Sequence, residues 1–363
     1  MTRRLPLFMM LAMVLPACQP RSVEQRPTTE FVSSIISDRT SPVFQLLSAY
    51  PEADRFGDIA VIGTENQCNA ISVQFTMNDM FDNVDGSRSA DGLADFSGEF
   101  MTSIVDDSGK GYSVLEEEQL RNLVVRSVVS AIDTTYSLTA YDLDALGRKS
   151  PAKLIILADV QQLAYGRFDV DTLLHSTGCG ANVICPMEAM LDRVIAQIGR
   201  KELNLGVICS PDVKDSTIYS SVLSELLPDR KVNCYAAPVA KSDTSNVVIS
   251  FLDAYIASGN TATLDALIVD DYSLPVAEIS DGLRRASSLM SEESLKYGKY
   301  LVDGLRFACP AEAVCAAAYR TLREQNIFTH KISHPQVVSY RTVPRPDDKG
   351  GELLTPISFY VQD

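Results

Sequence analysis

The second half of the chain repeats one pattern: a short, mostly apolar run, a turn, and an amphipathic stretch of helical period. The runs are KLIILA (153–158), NVIC (182–185), LGVIC (205–209), VNCYAA (232–237), ALIVD (266–270) and RFAC (306–309). Helices are predicted after most of them, over Pro186–Ile198, Asp215–Leu227, Asn246–Ala257, Pro275–Met290 and Ala311–Glu324. Strands that are apolar on both faces and alternate with helices must be buried on both faces. That is the signature of a parallel sheet covered by helices on each side.

The first half is less regular. SPVFQLLSAY (41–50) reads as a short helix capped by Ser41, with Pro42 at its first position. Asp58–Gly63 and Ala70–Phe75 read as strands, and 76–112, rich in Asp, Gly and Ser, reads as one long loop. Ser113 and Glu116 fit a capping box, followed by an apolar stripe through Leu120, Leu123, Val124, Val128, Ala131 and Ile132. At the end, 335–343 and 356–362 alternate as exposed strands do and predict an antiparallel pair. The fold class expected is therefore α/β: mostly parallel sheets flanked by helices, in two lobes, with a C-terminal antiparallel strand pair. The expected divisions are 1–17, 18–40, 41–150, 151–330 and 331–363, the break near 150 resting on the KSPA punctuation.

The chain starts with Arg3 and Arg4, an apolar run over 5–14 too short to span a bilayer, and then Leu15-Pro16-Ala17-Cys18. This order resembles the lipobox of bacterial lipoproteins. The resemblance implies a signal peptide over 1–17, lipidation of Cys18 and a lipid membrane as partner. Gln19, in place of a retaining aspartate, implies an outer-membrane place in the cell envelope, with 18–40 as the tether.

A net charge of −15 leaves no basic face for phosphates, so nucleic acid is not an expected partner. Seven cysteines remain beyond Cys18: Cys68, Cys179, Cys185, Cys209, Cys234, Cys309 and Cys315. There is no CxxC pair and there are three histidines, His175, His330 and His334, so neither a metal site nor a cofactor is indicated. GxSxG, HExxH, GxGxxG and GxxxxGK[ST] are absent, which removes the usual signatures of hydrolase, metalloprotease, dinucleotide and nucleotide-triphosphate chemistry.

In an open parallel sheet, ligands sit outside the carboxyl ends of the strands. Cys185-Pro186, Cys209-Ser210-Pro211 and Cys309-Pro310 each mark a strand end, and the expectation is that all three share one rim of one sheet. Two readings compete for the thiols. They are either small residues that let a strand turn under a helix, or thiolates favoured by a helix N-terminus. With no histidine beside them the first is preferred. The same geometry offers Thr64, Glu65 and Asn66 after the first strand, Asp159 after another, Asp270 and Asp271 after a third, and Asp91 and Asp95 in the long loop.

A small-molecule ligand held by these residues is the leading reading, in an architecture that resembles periplasmic-binding-protein-like proteins over about 56–330. A second reading is an enzyme without cofactor. CNAIS at Cys68 and GCG at Cys179 faintly resemble the paired cysteine motifs of the aspartate/glutamate racemases. That resemblance implies Cys68 and Cys179 as proton carriers on either side of a substrate α-carbon. Ala70, Gly180 and Ala181 depart from the motifs. A third reading is a surface module for protein–protein interaction.

Overall fold

The computed structural model describes residues 26–357, apart from 107–110, 141, 214, 240–244, 289–290, 330, 346 and 348–351. Helices α1 (Glu30–Ser37) and α2 (Pro42–Ser48) lead into β1 (Asp58–Gly63), α3 (Glu65–Met77) and β2 (Phe100–Val105). Then come α4 (Glu117–Ile132), the hairpin β3 (Thr135–Thr139) and β4 (Asp142–Arg148), and β5 (Ala152–Leu157). Next are α5 (Arg167–Thr177), β6 (Asn182–Ile184) and α6 (Pro186–Ile195). The following run is β7 (Glu202–Cys209), α7 (Thr217–Leu226), β8 (Lys231–Pro238), α8 (Val247–Ala257) and β9 (Leu264–Asp270). The chain closes with α9 (Val276–Ser287), α10 (Glu292–Tyr297), β10 (Leu301–Ala308), α11 (Pro310–Glu324), β11 (Gln336–Pro344) and β12 (Glu352–Pro356).

The class is α/β as expected, with two mostly parallel sheets flanked by helices. The first sheet runs β12-β11-β2-β1-β5-β6 and the second β10-β9-β7-β8. Among the described residues all pairings are parallel except β11–β12 at the C-terminal edge and the separate β3–β4 ribbon. The antiparallel tail pair is thus present, and β11 also extends the first sheet by pairing in parallel with β2. The break expected near residue 150 does not coincide with a break between sheets, because β5 and β6 both belong to the first.

Apolar faces explain the layers. Helices α1, α2, α4 and α5 cover one face of the first sheet through Val32, Leu47, Val124 and Val170. Helices α3 and α11 cover the other through Ile71, Phe75, Val314 and Tyr319. The second sheet is covered by α6 and α7 on one face and by α8 and α9 on the other. The chain crosses between sheets twice. Helix α6 leaves β6 and packs on the second sheet; α11 leaves β10 and packs on the first. The two crossing helices touch, with Arg193 Nη2 placed 2.9 Å from Glu312 Oε1.

Several expectations are corrected. Ala70–Phe75 is not a strand but part of α3. Thr64 and Gln67 form a capping box immediately after β1, and Cys68, Ile71 and Phe75 then make a helical stripe buried on the sheet while Val73 and Met77 face out. The long loop hides β2, a central strand whose Thr102 and Ser103 are buried polar residues that broke the apolar pattern. Helix α4 begins at Glu117, capped by Glu116 and Gln119, so Ser113 is not its cap. The ribbon over 135–148 was not foreseen. Residues 30–37, expected in a polar tether, form α1 and bury Val32 and Ile35.

Lys153 ties the amino ends of the first sheet together. Its ammonium, fully buried on β5, donates to Glu99 Oε2 at 2.6 Å and to the carbonyls of Arg55 and Ile327 at 2.8 and 2.9 Å. Glu99 Oε1 accepts from Thr329 N at 2.8 Å, so both charges are hydrogen-bonded on several sides. Removing one partner strands the other in a dry interior. Glu99→Ala is expected to cost about 3–5 kcal/mol, and paired Lys153→Met, Glu99→Leu markedly less; urea denaturation of both variants checks this.

Candidate active site

The carboxyl ends of β1, β2 and β5 in the first sheet and of β7 and β9 in the second bring a set of acids and amides together. Asp159 follows β5. Its Oδ1 accepts from the Gln161 backbone at 2.7 Å and from Gln161 Nε2 at 3.3 Å. Its Oδ2 accepts from Gln67 Nε2 at 2.6 Å. The same Gln67 side chain closes the capping box of α3, so helix start and site are built by one residue. Gly63 permits this. A Cβ there would sit 2.9 Å from Gln67 Oε1 and from the Ala158 Cβ.

After Asp159 the chain makes a single π-helical turn over Gln162–Gly166 before α5. Such turns shift side chains off the regular helical spacing, and they are frequent at functional sites. Here the turn aims Gln162 inward, where Nε2 donates to the Tyr112 hydroxyl at 2.8 Å and to Asp106 Oδ2 at 3.3 Å. Tyr112 in turn donates to Asp106 Oδ1. Asp106, directly after β2, is fully buried.

From the second sheet, Asp270 ends β9 and accepts from the Tyr219 hydroxyl at 2.8 Å through Oδ2. Asp271 accepts from Ser273 N at 2.8 Å. Tyr272 reaches across and donates to the Ala158 carbonyl at 2.7 Å, joining the end of β9 to the end of β5. Asp159, Asp270 and Asp271 are 7%, 6% and 7% exposed. Burial raises the Asp159 carboxyl above the usual range, Gln67 and Gln161 opposing. Burial also pushes Asp270 up to about 7, with the charges of Asp159 and Asp271 adding to the shift.

A cavity of about 180 Å³ opens beside this group, with one wall from each lobe. Tyr112, Leu120 and Tyr165 line it from the first, Val213 and Ile218 from the second, and Gln161 stands between the cavity and Asp159.

Solved structures share this fold. A glutamate racemase from Bacillus anthracis superposes with a TM-score of 0.51 at 13% identity, covering 80% of this chain and 90% of that one. A glutamate racemase from Francisella tularensis, solved in complex with D-glutamate, gives 0.50 at 15% identity, covering 80% and 89%. The fold is that of glutamate racemases. No protein-family model matches the sequence, and no characterised protein matches it by sequence. The likeness therefore establishes the fold and leaves the activity to the site.

This corrects the expectation of an outer-membrane ligand-binding lipoprotein: the likeness is to racemases and not to periplasmic binding proteins. Cys18 and the lipobox-like segment lie outside the described residues. Among the described residues no helix is long and apolar enough to cross a membrane.

The sequence-derived candidates divide. Asp159, Asp270 and Asp271 come together, and Thr64 joins them indirectly as the cap that places Gln67. Glu65 and Asn66 are exposed on the first turn of α3, Glu65 facing Arg341 at 3.1 Å. Asp91 and Asp95 precede β2, at the amino ends of the strands. Asp95 holds the backbone of Met80 and Phe81 at 3.0 Å, and Asp91 that of Asn83 and Leu93, so both are turn formers.

The three cysteines do not share a rim of one sheet, since Cys185 follows β6 of the first, while Cys209 ends β7 and Cys309 follows β10 of the second. All three are buried, and burial pushes their thiols up, Cys209 and Cys309 to about 12. Desolvation outweighs the helix N-terminus in each of them. Cys68 and Cys179 do not face one another either. Cys68 is fully buried in α3, with its thiol toward the Val61 and Ile104 carbonyls. Cys179 packs on the opposite face of the first sheet. Cys179, Cys185, Cys209, Cys234, Cys309 and Cys315 are free thiols.

Sequence reading missed Gln67, Asp106, Tyr112, Gln161, Gln162 and Tyr219. The Asp-Val-Gln-Gln run directly after a strand was the available sign for two of them.

The raised Asp270 carboxyl has a consequence for stability. Its folded pKa near 7 lies above its unfolded value, so it stabilises fully below about pH 4 and that contribution is lost as pH rises through about 7. Asp270→Asn removes the titration while Tyr219 keeps an acceptor. The gap in unfolding free energy between variant and parent is expected to shift toward the variant by on the order of 4 kcal/mol between pH 4 and pH 8. Denaturant titrations across that range measure it.

Proposed function

We propose that this chain is a cofactor-independent racemase-like enzyme that moves a proton at one carbon of a small acid, with Asp159 and Asp270 as the proton carriers. The observation that carries the reading is the pair itself: one carboxyl group from each sheet, both buried, at the strand ends of a racemase fold. A general acid or base works best when its pKa lies near the working pH, and burial takes Asp270 there. Carboxylates serve as bases for protons beside a carbonyl in other enzymes.

In the reaction, the ionised member of the pair takes the Cα proton, and the electron pair stays on carbon, delocalised into the adjoining carboxyl group. The protonated member then gives its proton to the opposite face. One C–H bond breaks and one forms, and the two acids exchange protonation states, so the pair works in either direction. Tyr219 and Gln67 are positioning residues: Tyr219 donates to Asp270 Oδ2 and Gln67 to Asp159 Oδ2, and each fixes the orientation of its carboxyl group. Tyr112, Gln162 and Asp106 form the wall behind them.

Incubation of the protein in D2O with a panel of α-amino and α-hydroxy acids tests this by loss of the α-proton signal in NMR. Exchange of at least one acid is expected, falling about 10²–10⁴-fold in Asp159→Asn and in Asp270→Asn. Exchange should also weaken as pH rises through about 7, where the acid form of Asp270 disappears. No exchange on any acid, or full activity in both folded variants, overturns the reading.

A further inference from the structure

We propose that a groove at the amino ends of the first sheet binds a small amphipathic carboxylate, its anionic head held by Arg323 and Lys331 and its alkyl or aryl body seated on Leu93, Tyr319, Phe328 and Ile332. The groove encloses about 570 Å³ between the loop ahead of β2, the last turn of α11 and the segment that leads to β11. That volume falls within the roughly 300–1,000 Å³ of pockets that enclose small molecules. Asp159 and Asp270 stand at the carboxyl ends of their strands, so this site is separate from the proton-transfer site and does not depend on it.

Rings form the floor. Tyr319 is buried on α11 and stacked on Phe81 with ring centres 4.4 Å apart, and Phe328 meets it edge-on at 5.2 Å. Leu93 and Ile332 stand exposed on the walls. One exposed apolar side chain is ordinary, but two that line a single cavity with a ring floor form a surface for carbon. The walls are fastened. Gly98 N donates to the Ser333 carbonyl at 2.7 Å and Thr329 Oγ1 to the Gly98 carbonyl at 3.1 Å. Asn83 Nδ2 donates to the Leu93 and Ala94 carbonyls at 3.3 and 3.1 Å. A ligand therefore meets a preformed groove and orders little of the chain on entry.

The cations of the groove have neutral partners. Arg323 Nη2 donates to the Val84 carbonyl at 3.2 Å, and the side chain lies across Gly86, where an added Cβ would meet Nε. Lys331 Nζ lies 5.4 Å from the centre of the Phe56 ring. Neither contact cancels the charge, and Arg323 keeps further N–H groups for a carboxylate. The acid that lines the groove, Asp95, is buried and accepts from the amides of Met80 and Phe81 at 3.0 Å. Asp85, whose charge feels Arg323, is exposed and accepts from Ser87 N at 2.6 Å. The described lining residues therefore carry two cations against one acid, on a chain whose net charge is −15. His330, outside the described residues, is neutral or positive and leaves that sign unchanged. Asn83, Ser97 and Asn326 add uncharged hydrogen-bonding groups to the same walls.

Isothermal titration calorimetry of the full chain with phenylpropanoate and octanoate tests this, with phenylpropanamide as the uncharged counterpart. Binding of at least one acid is expected, and the amide should bind about tenfold more weakly or less. Arg323→Gln and Lys331→Gln, both at exposed positions, should each weaken the acid about tenfold. Ile332→Ser should weaken octanoate roughly threefold or more. Asp159→Asn, at the other end of the sheet, should bind the acids as the parent does. No binding of either acid, equal binding of acid and amide, or parent-like affinity in the folded Arg323→Gln, Lys331→Gln double variant overturns the proposal. Loss of binding in folded Asp159→Asn with Arg323→Gln unaffected assigns the acids to the proton-transfer site and overturns it too. Sedimentation with phosphatidylglycerol vesicles, where the free acids do not bind, makes the patch a membrane-facing surface and overturns the small-molecule proposal.

Discussion

A carboxyl group taken out of water must find donors, a cation, or a proton. Asp159 and Asp270 meet that requirement at the place where the two sheets come together. Asp159 is held by two glutamines and a backbone amide, Asp270 by one tyrosine hydroxyl. Burial raises both carboxyl groups, opposed at Asp159 by Gln67 and Gln161 and at Asp270 by Tyr219. Much of the surrounding structure serves this arrangement: the capping box of α3 places Gln67, the π-turn places Gln162 toward Tyr112 and Asp106, and Tyr272 fastens the end of β9 to the end of β5.

The chain's path explains how acids from distant segments arrive together. Parallel strands bring all their carboxyl ends to one side of a sheet, and two sheets give two such rims. Because α6 leaves the first sheet to pack on the second and α11 returns the favour, the lobes share helices at their junction, and the rims are turned toward one another. The opposite end of the first sheet is held by Lys153 and Glu99, whose buried contacts fasten segments near 55, 99 and 327. The racemase resemblance implies Cys68 and Cys179 as proton carriers, yet the two pack on opposite faces of the first sheet.

Legibility followed periodicity. Strands such as LIIL and LIVD, buried on both faces, announce themselves because no other element is continuously apolar and that short. Asp159, Asp270 and Asp271 were found for the same reason, as polar residues directly after such runs. Where a buried strand carries hydroxyls, as β2 does at Thr102 and Ser103, the pattern fails and the strand is lost, and Asp106 with it. Ala70–Phe75 failed in the other direction. Its β-branched residues alternate by chance, while the capping interaction of Thr64 and Gln67 fixes a helix that spacing alone would not choose.

What this sequence determined unaided is the α/β class, most of the parallel strands, and the side of each strand on which ligand chemistry would lie. Those follow from local burial patterns and from the fixed direction of strand-to-helix turns. Only the tertiary structure decided that there are two sheets, that Cys68 and Cys179 lie on opposite faces of one of them, and that Asp159 meets the neighbourhood of Asp270. Such pairings join residues more than a hundred positions apart, through helices that cross from one sheet to the other. The sequence within a single strand carries no record of which sheet it will join, because the same apolar run satisfies either.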